Sequence, residues 1–295
     1  TVAVQLDEAR ITFDAPDPDL RLVDVEKVEI LKGPQGPLYG SGALGGIYRI
    51  VTRKPDLQDA STSIATAAEV VQHGEIGFGG EAVFNLPLSD DRLALRAVGY
   101  GVRRGGWIDN VGRSANANRS SMEGGRLALR WKPFSDWTVD LAGVLQNINV
   151  KDSQYVMVSD DTLKRTARIP EPADNDFRAL SGTIEGRLGA LNLLSATSYV
   201  HHAVDYTLDA SAAAGAFGVT DPVTFQDDRA YEILNQELRL SPVNGGGWIA
   251  GASFLRARSH NVAIIDNGIL DPFPVETLDR KVTEYAVFGE GGLDL

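Results

Sequence analysis

The side chains able to do chemistry are few. Four histidines, His73, His201, His202 and His260, are the candidate metal ligands, because the chain contains no cysteine. His201 and His202 are adjacent, and neighbours on a strand point to opposite faces, so they do not share a metal ion. His73 and His260 fall in expected loops. A ferric-ion site built from this set is not expected and no metal ligand is assigned; iron, if carried, is expected inside a chelate. Asp14, Asp17 and Asp19 offer oxygen ligands, but they lack the calcium-loop pattern with its closing Glu and read as an exposed loop. There is no Gly-x-Ser-x-Gly elbow, no His-Glu-x-x-His and no phosphate loop. No catalytic residue, cofactor or covalent chemistry is expected.

Composition narrows the classes further. The formal net charge of −12 argues against a nucleic-acid binder, which needs an excess of Lys and Arg, and against electrostatic docking on an anionic membrane. With 43% hydrophobic and 23% charged residues the chain is not a disordered tail. No apolar run approaches the roughly 18 residues of a membrane helix, which leaves a β-barrel open, since its strands cross in about ten alternating residues. Thr1–Val4 has no charged region followed by an apolar core, so the expectation is a chain that starts mid-protein.

The elements that must hold any site fall into two parts. Residues 1–55 begin with strand-like Val2–Leu6 and a Pro/Asp-rich connection over 14–19. Val23–Leu31 alternates weakly, and its first half fits helix or strand. Lys32-Gly33-Pro34-Gln35-Gly36-Pro37-Leu38-Tyr39-Gly40 and Ser41–Gly46 follow, where glycine and proline forbid a long helix and demand tight, φ-positive turns. A short apolar strand, Ile47–Val51, comes next.

From about Ala60 the pattern becomes period-2 strands. Leu93, Leu95 and Ala97 oppose Arg92, Ala94 and Arg96; Leu127, Leu129 and Trp131 oppose Arg126, Ala128 and Arg130. Trp137–Leu145 and Leu234–Leu240 alternate likewise. Short turns (87–91, 133–136, 188–190, 244–247) alternate with long polar connections (roughly 104–120, 149–177, 205–228 and 260–280). That rhythm suits an up-and-down barrel of about ten strands with short periplasmic turns and long external loops, not a Greek-key sandwich. Trp107, Trp131, Trp137, Trp248 and Tyr199 lie towards strand ends, as girdle residues or as ordinary core and loop aromatics.

Val25–Gly40 resembles the plug signature of TonB-dependent outer-membrane receptors, and Gly45-Gly46-Ile47-Tyr48-Arg49-Ile50-Val51-Thr52-Arg53-Lys54-Pro55 resembles the segment that ends that plug. The plug motif is carried here by Lys32, Gly33, Pro34, Gln35, Gly36, Leu38, Tyr39, Gly40, Gly45 and Gly46. Asn235–Pro242 and Tyr285–Glu290 are similar to strands of the family's barrels. The sequence departs from the motif at Lys32, where Arg is usual, at Tyr48-Arg49, and at Pro37. Lys cannot make the forked contact that Arg makes with a carboxylate.

The resemblance implies an all-β fold with a small α+β plug portion. The end of a plug (1–55) precedes part of an antiparallel, up-and-down transmembrane β-barrel (60–295), with about ten strands of a probable 22 or so. The early plug and its TonB-contacting box are expected to be missing, and with them about half the strands. The implied function is energy-coupled uptake of a scarce solute, a ferric siderophore by expectation, in the outer membrane of a Gram-negative bacterium. Its partners would be outer-membrane lipid, the TonB complex and the small-molecule ligand. Plug cations Lys32, Arg49, Arg53 and Lys54 are expected to face strand carboxylates such as Glu237, Glu284 and Glu290, with Lys32 or Arg53 on Glu237 or Glu290 as the pairs to test. Two other readings stay open. A passive small barrel or adhesin would close with about ten strands and keep residues 1–55 outside any lumen. A soluble, sugar-directed hydrolase would need a cleft with two carboxylates at catalytic spacing.

Overall fold

The computed structural model describes residues 2–13, 15–33, 45–156 and 163–292. Residues 2–52 form a sheet of four strands: β1 (Val2–Leu6), β2 (Ala9–Arg10), β3 (Val25–Lys32) and β4 (Gly46–Thr52), in the order β2-β1-β4-β3. β1 runs parallel to β4, and β3 antiparallel to it. Among the described residues of this part only strands occur. The poor alternation of Val23–Leu31 has a simple cause. β3 is the outer strand of this sheet and is largely exposed, so no packed face selects its residues.

The second sheet has ten strands: β5 (Ser61–Val70), β6 (Ile76–Ser89), β7 (Leu93–Arg104), β9 (Ser120–Phe134), β10 (Trp137–Val150), β12 (Ala173–Leu188), β13 (Leu191–Asp209), β14 (Thr224–Pro242), β15 (Trp248–Asp266) and β16 (Phe273–Gly291). Each pairs antiparallel with its neighbour in sequence, which is the up-and-down topology. Between two loops, β8 (Asp109–Asn110) pairs with β11 (Lys164–Arg165) in parallel. The sheet is open: β5 and β16 stand at its two ends and do not pair with each other. The closed ten-strand barrel required by the passive-barrel reading does not form.

Alternation decides the two faces. On the inward face Phe177, Val200, Ile233 and Leu255 are buried against Val4, Leu6, Ile11 and Ile50 of the four-stranded sheet, making one apolar core shared by both sheets. On the outward face Leu127, Leu141, Leu145, Leu180 (65% exposed), Leu234, Leu238, Tyr285 and Val287 (89% exposed) stand clear of protein. Large apolar side chains in that number on an exposed sheet face belong to a lipid-facing surface.

Two expected loops are much shorter than the sequence suggested. The connection expected at 205–228 is confined to 210–223, and that at 260–280 to 267–272, because the flanking strands continue. Their outer ends mix charged and hydroxyl-bearing residues with the apolar ones, as in Thr224–Arg229, which reads as loop while the ladder persists. Side chains there bond across it: Tyr206 donates to Asp227 at 2.6 Å, and Asp227 also takes both Arg229 donors at 2.8 and 2.6 Å. Likewise 173–177 is strand rather than loop.

Candidate functional site at the contact between the sheets

Residues 15–24 cross from β2 to β3 along the inward face of the ten-stranded sheet, and the wall grips them with polar groups. Asp24 has φ 54°, which turns its carboxylate towards the wall. There Arg96 of β7 donates through Nε at 2.7 Å and through its terminal nitrogen at 2.6 Å, as a fork. Arg126 of β9 adds a third bond at 2.8 Å and also holds the Asp24 carbonyl at 2.9 Å. Ala128 pairs with Arg96 and Val98 with Arg126 across β7 and β9, so the two guanidinium groups are diagonal neighbours on one face. All three side chains are nearly buried, Asp24 to 4% exposure. One carboxylate between two buried cations is a strong, dehydrated contact.

Gln146 is the neutral counterpart. It is fully buried on β10, and its amide makes four bonds. Its oxygen accepts from the Arg21 amide at 2.9 Å and the Tyr100 hydroxyl at 2.8 Å, while its nitrogen donates to the carbonyls of Pro18 and Asp19 at 3.2 and 3.0 Å. Tyr100 lies over Gly124, where a Cβ would meet the phenol oxygen at 2.5 Å, so only glycine leaves room for it. The expected exposed loop over 14–19 is therefore half docked. Asp17 and Asp19 are exposed, Pro18 is buried, and Asp14 lies outside the described residues.

A third contact is looser. Glu8 accepts from Arg49 and, at 3.3 Å, from Arg239 of β14, which also bonds Glu237. Arg49 reaches Glu29 at 3.0 Å and the Asp7 carbonyl at 2.9 Å. Lys54 pairs with Asp7 at 2.9 Å. These side chains keep part of their water. Arg10, on β2, is largely buried, and burial draws its guanidinium below the usual range, against the opposing pull of Glu284.

The sequence-derived candidates are distributed as follows. Pro34, Gln35, Gly36, Leu38, Tyr39 and Gly40 lie outside the described residues. Gly33 (φ 82°) and Gly46 (φ 131°) have the left-handed backbone anticipated for the motif, and a Cβ on Gly46 would sit 2.3 Å from the Leu31 carbonyl oxygen. The Gly33 amide donates to the Gly45 carbonyl at 3.3 Å. Lys32 ends β3. Arg53 is exposed beyond β4, with its backbone amide on the Asp24 carbonyl at 3.2 Å. Glu237 is engaged by Arg239, and Glu290 is exposed near the end of β16. Arg49 and Lys54 pair with carboxylates of their own sheet, and the polarity at the dry contact is the reverse of that expected: Asp24 supplies the negative charge and the wall the cations. No local signal marked Asp24. Arg96 and Arg126, facing opposite the leucines of their strands, were the visible hint.

His201 points outward and His202 inward, where it stacks between Phe177 and Tyr231 and bonds Asn175 at 2.8 Å. Trp131 and Trp248 are exposed at lower strand ends. Trp107 is no girdle residue. It lies in the loop after β7 and lines a recess of about 190 Å³ with Asp19, Arg21, Arg104, Met122 and Gln154.

Residues 1–47 match the family model "TonB-dependent Receptor Plug Domain". The chain is 63% identical to the pesticin receptor of Yersinia pestis over 35 residues, 12% of this chain and 5% of that protein. It is 30% identical to the ferric enterobactin receptor PirA of Pseudomonas aeruginosa over 140 residues, 43% of this chain and 18% of that protein. Among solved structures, the ferripyoverdine receptor of the P. aeruginosa outer membrane superposes with a TM-score of 0.69 at 12% identity, over 97% of this chain and 42% of that one. The chain thus spans less than half the length of each of these three receptors.

Proposed function

We propose that this chain belongs to the TonB-dependent outer-membrane receptor family and supplies the later part of the plug (residues 1–55) and the first strands of the wall (residues 60–295) in a receptor that imports a ferric siderophore. The family is one of transporters and receptors, and its place is the outer membrane. The observation that supports transport is the contact between the sheets. A compact sheet rests on the wall's inward face through discrete polar grips of unequal wetness. A pull from TonB would break them in turn, the half-exposed Glu8 network at lower cost than the dry Asp24 pair.

Cargo would be met where residues 19–21 and the loop carrying Trp107 form the 190 Å³ recess. Its arginines, Arg21 and Arg104, and its indole suit an anionic, aromatic iron chelate. The names of the relatives, a ferric enterobactin receptor among them, point to the same class. Coupling of Lys32 or Arg53 to Glu237 or Glu290 is part of the proposal, as a secondary set of grips.

The test is uptake of radioactive iron, presented as ferric siderophore, by iron-limited cells that express the receptor carrying this chain. Uptake is expected with TonB and lost without it. Equal uptake in TonB-deficient cells, or none for any chelate tried, would reject the reading.

A further inference from the structure

Two buried side-chain amides stand behind the recess lined by Asp19, Arg21, Trp107 and Gln154. Gln146 holds its plug side, through the Asp19 carbonyl and the Arg21 amide. Asn118 holds its loop side. This residue is 1% exposed and lies in the connection from β7 to β9, two positions before β9 begins. Its Oδ1 accepts from two consecutive backbone amides, those of Trp107 and Ile108, both at 2.8 Å. Its Nδ2 donates to Oε1 of Gln154 at 3.1 Å, and Nε2 of Gln154 donates back to the Asn118 carbonyl at 3.1 Å. One side chain thus sets two residues that reach the recess from different loops.

The surrounding chain is shaped for this grip. Gly106 approaches Asn116 so closely that a Cβ would lie 2.1 Å from the Asn116 carbonyl oxygen, and the Ala117 amide closes the loop on the Ile108 carbonyl at 2.7 Å. Just beyond Ile108, β8 pairs with β11 and ties this loop to the one that carries Gln154. Asp152 anchors that second loop. Nearly buried, it accepts from Arg165 and the Glu171 amide at 3.0 Å, from the Ser153 amide at 2.8 Å and from the Asn110 amide group at 3.3 Å. Burying a carboxamide and a carboxylate in surface loops is costly unless their partners are placed for them. Here the partners are placed, and the two loops form one block facing Arg21.

We infer that Asn118 is a positioning residue for cargo binding: it fixes the Trp107 backbone and the Gln154 amide before cargo arrives, so that binding has neither of them left to order. Asn118 is too buried to touch cargo and acts through those two residues. The inference rests on reading the recess as the place where cargo is met.

The experiment uses the purified full receptor in detergent and has two readouts: hydrogen exchange at the Trp107 and Ile108 amides without ligand, and titration with ferric enterobactin as the probe. Exchange should be slow in the wild type and in Asn118→Asp, which keeps the accepting oxygen, and at least about tenfold faster in Asn118→Ala. Probe affinity should fall about tenfold in Asn118→Ala, the cost of ordering two side chains on binding. In Asn118→Asp, where only the bond to Gln154 Oε1 is lost, it should fall by a smaller factor. In a Trp107→Ala/Gln154→Ala background, Asn118→Ala should change affinity by less than about twofold, because the residues it acts through are gone. Unchanged exchange in Asn118→Ala, equal probe affinity of that variant and the wild type, or a tenfold loss that persists in the double-alanine background would overturn the inference. A wild type that does not bind ferric enterobactin would count against the cargo reading alone, since the exchange rates decide by themselves whether Asn118 sets the loop.

Discussion

The Asp24 contact and the Glu8 contact join the same two sheets with the same kinds of charge, yet they are built differently. Asp24 is nearly buried and takes three donors from Arg96 and Arg126, while Glu8, about a fifth exposed, shares Arg49 and Arg239 with other carboxylates. A buried charge cannot lose its partner without being stranded, whereas a half-wet one exchanges partners through water. One contact therefore fixes where the plug sits, and the other tolerates adjustment.

Asp24→Ala should have the largest effect, because it strands two buried guanidinium groups. A loss of about 3–5 kcal/mol is expected in the thermal or denaturant unfolding of the receptor, and a loss under 1 kcal/mol would erase the distinction. Gln146→Leu probes the dry region without charge. It leaves the Arg21 amide, the Pro18 and Asp19 carbonyls and the Tyr100 hydroxyl without their partner, and about 2–3 kcal/mol should disappear in the same measurement. Glu8→Gln should cost at most about 1 kcal/mol and its effect should shrink further in high salt, while that of Asp24→Ala should not. Smallest of all is the coupling in a double-mutant cycle between Arg53 and Glu290 or Lys32 and Glu237. It should fall below about 0.5 kcal/mol, as Glu237 is already held by Arg239; a coupling as large as that of Asp24 with Arg126 would move the fixed point elsewhere.

What could be read in the chain depended on how local the cause was. Gly33 and Gly46 announced left-handed backbone because only glycine tolerates it, and the alternation of Leu127, Leu129 and Trp131 against Arg126, Ala128 and Arg130 fixed the faces of β9. The outer halves of β13 to β16 stayed hidden, since runs rich in charged and hydroxyl-bearing residues such as Thr224–Arg229 read as loop while the ladder continues. The grips were hidden for another reason. Asp24 meets Arg126 across 102 positions, and Gln146 meets Pro18 across 128, so nothing near either residue encodes its partner. Charge type alone suggested plug cations on wall carboxylates. Arg49 and Lys54 instead find acids within their own sheet, where the chain brings them together at no entropic loss beyond folding that sheet.

The length of β13 to β16 reaches beyond architecture. Each has 19 residues, or about 60 Å at the usual rise, and even at a steep tilt that exceeds a hydrocarbon layer of about 25 Å. The surplus rises above the bilayer as hydrogen-bonded hairpin tipped by only 267–272 in the last of them. In the proposed receptor, a solute arriving from outside would meet a stiff collar rather than loose chain, and capturing it there would order little that was free, so affinity need not be spent on immobilising the rim.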